Sequence, residues 1–299
     1  MAGLRPGPPR HDAVRPEPHR HRGPPALGAG LLGGQALSGY SVRPIPTERR
    51  PVLDRLWSAS RKAQVHALVE LDVTRARELI GLAEPRVSWT GFVISTLGRA
   101  VARHPEVNAR RAGNKVLYFD DVDVGATVER QWEGHAVLDV VVVREADRLS
   151  AAEITALLAG AKHSQPQDRR LSGVTAQLLR LPGPIRRAGI RMVATRPRVS
   201  ASFGPAVGVT SLGMFTRGWG WAVPLAPLTL IVTVGGVVDR PAVHEGLIVA
   251  RAMLPLTVTF DHAVVDGAPA ARFIDTLREL TETADALDDI GAPRPASRG

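Results

Sequence analysis

The chain predicts an α/β fold, a two-layer sandwich in which helices cover one face of a mixed β-sheet. Three observations predict it: apolar residues recur at helical spacing in several separate segments, β-branched runs cluster between them, and the two kinds of segment mix without the strict alternation of a doubly wound sheet. At 299 residues with 44% hydrophobic content, the chain is long enough to bury a substantial core.

The elements follow in order. Residues 1–42 mix Pro, Gly, Arg and His in proportions that bury too little apolar surface to offset chain entropy, so they read as a disordered tail, with His11, His19 and His21 solvated in it. Order begins near Thr47, which can cap a helix whose first turn tolerates Pro51 and whose apolar positions are Val52, Leu53, Leu56 and Trp57. Residues 66–73 alternate as a strand, and residues 87–104 form a second helix that stops before Pro105. The runs 115–119, 122–128 and 136–143 are β-branched and separated by turn-prone residues. A helix then starts at Ser150, with Glu153 at capping-box spacing. Strands are expected over 206–212 and 228–238 and in a hairpin around Glu245-Gly246 whose second arm is 247–260. The amphipathic segment 268–287 closes the domain, and residues 288–299 read as a second disordered tail.

Composition excludes several classes of function. The chain has no cysteine, which removes disulfides, thiolate nucleophiles and cysteine metal sites. The net charge of +9 is carried by arginine and concentrated in two places, residues 1–50 and the stretch 169–198, which holds eight arginines and no acid. Basic segments on an otherwise acidic body, with no stacking aromatics between the arginines, argue against a nucleic-acid partner. No apolar run reaches the ~18 residues that span a bilayer, and proline and arginine interrupt the start where a signal peptide would need an apolar stretch. The expectation is a cytoplasmic protein.

The most informative run is Phe260-Asp261-His262-Ala263-Val264-Val265-Asp266-Gly267, between a strand and a helix. Histidine titrates near neutral pH, so His262 can accept a proton and return it within one turnover. Asp266 reads as the N-cap of the following helix, and Gly267 eases the strand-to-helix turn. Neighbouring residues on a strand face opposite ways, so Asp261 and His262 cannot form one clamp. No second histidine lies at ligand spacing, and no metal is expected.

Asp-His-x-x-x-Asp-Gly followed by Ala270-Ala271-Arg272-Phe273 resembles the active-site signature of the chloramphenicol acetyltransferase-like superfamily, most closely the catalytic domain of the dihydrolipoamide acyltransferases of 2-oxo acid dehydrogenase complexes. The likeness extends from Arg43 to about Leu287. It takes in Val69-Glu70-Leu71-Asp72-Val73-Thr74, the segment from Val87-Ser88-Trp89 to His104-Pro105-Glu106-Val107-Asn108-Ala109, and Val209-Thr210-Ser211-Leu212-Gly213.

The resemblance implies an acyltransferase that moves an acyl group between coenzyme A, bound as acyl-CoA, and a thiol such as dihydrolipoamide or another acceptor. It implies His262 as general base and a hydroxyl that stabilises the oxyanion, matched by Thr210, with the adjacent Ser211 as the alternative on the other face of the strand. Asp266 would be a structural member of the catalytic set, paired with Arg49 near the start of the domain. It also implies a homotrimer whose histidine and hydroxyl come from different chains.

Three departures bear on that expectation. Residues 1–42 are too short for a lipoyl domain, and none of Lys62, Lys115 and Lys162 sits in a plausible lipoyl hairpin, so a lipoyl-domain protein would act in trans with no covalent lipoyl on this chain. Ala263 stands where the family commonly has arginine. The domain, residues 43–287, carries a basic insert at 169–200, which reads as a lid for coenzyme A phosphates, as a weak membrane contact, or as a solvated excursion. The missing carrier domain and the basic insert favour the rival expectation, a catalytically silent trimeric scaffold or a membrane-associated binding module, whereas the complete Asp-His-x-x-x-Asp-Gly favours the enzyme and Ala263 leaves acyl transfer intact.

Overall fold

The computed structural model describes residues 41–42, 44–45, 49–132, 135–163, 181–213 and 218–290. The chain divides into a unit ending at Pro44 and a unit from Ile45 to Gly299. Residues 41, 42, 44 and 45 form no helix or strand, and the tails expected at either end fall almost wholly outside the described residues. Everything below concerns the second unit.

Among the described residues nine strands form two sheets. The larger holds β1 (Gln64–Asp72), β4 (Val124–Trp132), β5 (His135–Val143), β6 (Val207–Ser211), β7 (Leu230–Val234), β8 (Val238–His244) and β9 (Leu247–Asp261). Its order is β1-β9-β7-β6-β4-β5, with β8 also paired to β9. The pairs β4·β6 and β6·β7 are parallel and the others antiparallel, which makes the sheet mixed as expected. β2 (Ala109–Ala112) and β3 (Lys115–Tyr118) form a separate small hairpin.

Parity along the strands divides the sheet into two unlike faces. On one face Leu256, Val258 and Phe260 of β9, Leu230 and Val232 of β7, Val207 and Val209 of β6 and Val124 and Ala126 of β4 are buried in a single core. Helices α3 (Trp89–Arg103), α4 (Ala151–His163) and α7 (Gly267–Glu282) cover that face, through Phe92, Leu97, Ile154, Phe273 and Leu277. Helix α3 packs closely on its neighbours because it is small where they meet. A Cβ on Gly91 would stand 2.7 Å from the Ala151 carbonyl oxygen, and one on Gly98 2.6 Å from that of Ala146. The α4 start is the capping box expected from sequence: Ser150 N–H donates to Glu153 Oε2 (2.8 Å), and Glu153 N–H donates back to Ser150 Oγ (3.2 Å).

Several boundaries moved. The apolar run 228–238 is two strands, because β7 ends at Val234 and the chain turns at Gly235-Gly236 to continue as β8 along the lower half of β9. The last helix stops at Glu282, Ala284 takes a left-handed φ of 57°, and a 3-10 turn carries order from Asp285 to Ile290. Helix α2 (Thr74–Leu82) was not expected; Ala76 is its one fully buried residue, so it shows little apolar periodicity. The hairpin turn is where the sequence placed it, with Glu245 and Gly246 both left-handed (φ 52° and 81°).

Asp72 at the end of β1 links this edge to β9 and to α2. Burial by itself would raise its carboxyl. The Thr74 hydroxyl and amide, the latter 2.9 Å away, and the Arg251 guanidinium at 2.5 Å outweigh burial and hold it below the ordinary carboxylate value. A lowered native value contributes stability that is present above the unfolded carboxylate range and is lost as pH falls through the native value. Urea midpoints of the parent and Asp72→Asn should therefore differ at neutral pH and converge in strong acid; a gap independent of pH would contradict this.

Candidate active site

His262 sits where β9 ends, and the strand register fixes its backbone. β1 and β9 pair from Gln64 opposite Asp261 to Asp72 opposite Met253, and just beyond that ladder His262 N–H donates to the Ala63 carbonyl (2.7 Å). The turn that follows is organised by Asp261. Its side chain accepts from Ala263 N–H (3.2 Å), its carbonyl from Val264 and Val265 N–H (2.9 and 3.0 Å), and Lys62 Nζ donates to its Oδ2. Asp261 is buried, while the His262 side chain is 47% exposed. The catalytic candidate thus projects outward from a rigid foundation.

That arrangement corrects two expectations. The brace of the histidine loop within the chain is Asp261 with Lys62, not Asp266 with Arg49. Arg49 lies exposed ahead of α1 (Arg50–Ala59), and among the described residues Asp266 and Arg49 form no ion pair. Asp266 occupies the N-cap position of α7, but its side chain makes no capping hydrogen bond and is 84% exposed. Its Oδ1 lies 3.6 Å from His262 Nδ1, beyond hydrogen-bond range. Gly267 has no left-handed backbone, and a Cβ there would meet nothing, so the turn does not require glycine. Sequence reasoning missed Lys62; its signal is the sheet register, which no local pattern encodes.

Removing one partner of a pair buried this deeply leaves the other charge without compensation. Lys62→Met should lower the unfolding free energy by about 3 kcal/mol, the low end for a buried pair because Lys62 keeps 19% exposure. Adding Asp261→Asn should restore part of the loss in a denaturant titration. A Lys62→Met variant as stable as the parent would show that the pair does not brace the turn.

Thr210 and Ser211 lie near the end of β6 and face opposite ways, as expected. Ser211 stands opposite Val234 on the helix side and lines a cleft of about 750 Å³ with Ser88, Trp89 and Thr90 at the start of α3. Thr210 stands opposite Thr233, which in turn stands opposite Thr257, so three threonines form one row across the face without helices. His262 is five residues beyond Thr257, just past the end of β9 and about 17 Å along the strand direction, and Thr210 is two strands across, about 10 Å at right angles to it. A single chain therefore cannot bring its own His262 to its own Thr210.

A loop from Gly218 to Leu228 roofs the threonine row. Trp221 Nε1 donates to the Val69 carbonyl (2.9 Å) and Gln64 Nε2 to that of Ala226. The roof closes down at Gly235, where a Cβ would lie 2.9 Å from the Gly220 carbonyl oxygen and 2.6 Å from Pro255 Cγ. Beneath it Thr233 and Thr257 are 3% and 0% exposed, and neither hydroxyl has a hydrogen-bond partner among the described residues.

The basic insert is described from residue 181. Helix α5 (Gly183–Ala194) docks on α1 through a buried fork: Arg186 donates from Nε and Nη2 to the two carboxylate oxygens of Asp54 (2.8 and 3.1 Å), and Arg187 Nε lies 3.5 Å from the same carboxylate. The bond to Asp54 raises the Arg186 guanidinium above its ordinary value. After helix α6 (Pro197–Ala201), buried Arg110 of β2 donates to the carbonyls of Ser200, Gly204 and Pro205 (2.6, 2.7 and 2.6 Å) and so holds the chain that enters β6. Burial lowers the Arg110 guanidinium. Two of the insert's arginines are thus engaged with an acid outside it. Among the described residues no three of His, Asp and Glu cluster as a metal site, and no helix is long and apolar enough to cross a membrane.

The model of the 2-oxoacid dehydrogenases acyltransferase (catalytic domain) family matches residues 38–175 and 193–287, and its gap falls within the basic insert. The lipoamide acyltransferase component of the branched-chain alpha-keto acid dehydrogenase complex of Pseudomonas putida is 27% identical over 270 residues, which cover 85% of this chain and 56% of that protein. The chain thus spans about half the length of the curated relatives it matches. Among solved structures, the cubic core of the pyruvate dehydrogenase multienzyme complex is similar, with a TM-score of 0.62 at 18% identity over 87% of this chain and 99% of the other. So is Azotobacter vinelandii dihydrolipoamide acetyltransferase, with a TM-score of 0.58 at 20% identity over 83% and 94%. The expected α/β fold with a mixed sheet is the fold of these acyltransferase cores.

Proposed function

Because the chain belongs to the family of 2-oxoacid dehydrogenase acyltransferase catalytic domains, we propose that it transfers an acyl group between coenzyme A and a thiol acceptor of the dihydrolipoamide type, at a site completed only when two subunits meet. His262 removes the proton from the attacking thiol and returns it to the leaving thiolate. The Thr210 hydroxyl of an adjacent subunit donates to the oxyanion that forms at the thioester carbon.

The separation of Thr210 and His262 carries this reading. Each has the exposure or face that chemistry needs, and neither can reach the other within a chain. A study of the Azotobacter vinelandii enzyme concerns a serine, a histidine and an asparagine in its mechanism; the histidine lies 52 residues after the serine and the asparagine four residues further on. Thr210, His262 and Asp266 repeat those intervals. This spacing favours Thr210 over Ser211 and keeps Asp266 in the set as a polar neighbour of the histidine. This reading requires at least two copies to meet, and the homotrimer that the resemblance implies would supply that contact; the acceptor would be the dihydrolipoyl group of a lipoyl-bearing protein.

The test is acyl exchange by the purified full chain. Acetyl-CoA and longer acyl-CoAs are incubated with dihydrolipoamide, and acyl-dihydrolipoamide is measured together with released coenzyme A. Formation of both in equal amount is expected; release no faster than buffer with every donor would sink the proposal and favour the scaffold.

A further inference from the structure

The helix of the basic insert turns its faces the unusual way round. A surface helix ordinarily directs apolar residues to the core and charges to water. Helix α5 directs two of its charges inward: the Arg186 side chain is 10% exposed and donates to both carboxylate oxygens of Asp54, and Arg187 lies against the same carboxylate. Residues three and four apart share a helix face, so this clamp fixes which residues point away. They are Pro184, Ile185, Ala188 and Met192, all exposed, with Ile185 and Met192 each at 57%. The family match leaves out residues 176–192, so most of α5 lies outside the stretch that this chain shares with the acyltransferases.

Two features say what covers that face. Its four residues offer no strong side-chain donor or acceptor, whereas a contact between folded proteins carries about one hydrogen bond per 100–200 Å². Charge is the second feature. Arg191 borders the face and Arg196 and Arg198 follow it; all three are exposed, none is in an ion pair among the described residues, and no acid occurs between 169 and 198. Apolar side chains without hydrogen-bonding groups, bordered by cations, suit a fluid and anionic surface. The side chains enter the boundary of the acyl layer while guanidinium groups stay at headgroup level. With 12 residues, α5 is about 18 Å long, enough to lie along a bilayer and too short to cross one.

We propose that α5 is an interfacial anchor that lays Ile185, Ala188 and Met192 into the surface of a membrane rich in anionic phospholipid, with Arg191 among the headgroups and Arg196 and Arg198 adding to the local positive charge. The Asp54 clamp fixes the catalytic domain to this anchor. The proposal does not depend on the acyltransfer reading, because none of these residues belongs to that site.

Vesicle co-sedimentation of the purified full chain tests it. One set of vesicles is phosphatidylcholine alone, and the other is phosphatidylcholine with phosphatidylglycerol in equal parts. Binding to the anionic set should be at least about tenfold tighter and should weaken as salt rises. Ile185→Ser with Met192→Ser should weaken it by about tenfold or more, and Arg191→Gln by about fivefold, with the urea midpoint and the mass by light scattering unchanged. Residues 1–50 are also rich in arginine, so the serine pair decides where the contact lies. Binding that the serine pair leaves intact would assign the contact to those arginines and overturn the proposal. So would no binding by the parent, equal binding to both sets, or a fall in mass on the serine substitutions without lipid, which would make the face a contact between copies of the chain.

Discussion

His262→Ala should lower kcat/KM for acyl exchange by about 10²- to 10⁴-fold, the usual contribution of a positioned general base. The fold should not notice. The imidazole is half exposed, and what holds the loop is the His262 backbone N–H on Ala63 together with Asp261, neither of which the substitution touches. Exchange kinetics measured beside a urea titration separate the two effects: a large kinetic loss at an unchanged midpoint, within about 0.5 kcal/mol, identifies chemistry. A kinetic loss below about tenfold would remove His262 from its role.

Thr210→Val keeps the β-branched shape and removes the hydroxyl, so it should lower kcat by about 10²- to 10³-fold with little change in KM, because an oxyanion donor acts on the transition state. Ser211→Ala, on the opposite face, should change kcat little. The decisive form of this experiment mixes two inactive proteins. When His262→Ala and Thr210→Val subunits are unfolded together and reassembled, about a quarter of the interfaces in a symmetric ring join an intact histidine to an intact threonine. Activity near that share is expected. None at all would mean that the two residues do not meet across subunits, and that the separation along β9 reflects a different site.

How much of this was legible beforehand depends on the range of the interaction concerned. Local signals read well: the Ser150–Glu153 capping box, the Glu245–Gly246 hairpin and the strand that delivers His262 all involve residues within a few positions of each other. Asp266 was read as a helix cap from a local rule and stands at that position, yet its side chain does not bond there. The two elements that shape the site, the Lys62–Asp261 brace and the tryptophan roof, were invisible. Lys62 and Asp261 are 199 residues apart, and Trp221 reaches a carbonyl 152 residues away. No periodicity records such partners.

By itself the sequence determined the family, the mixed α/β architecture, and the histidine around which any chemistry must turn, since all three are written in short runs whose spacing is set by strand and helix geometry. The tertiary structure alone decided three further points. It put the brace at Asp261, left the Thr233 hydroxyl unpaired beneath the roof loop, and gave the spacing by which Thr210 and His262 stand apart within one chain, a separation the resemblance already implied. Each of these depends on register between strands distant in the chain, which is fixed by which faces bury together in the core rather than by any residue's immediate neighbours.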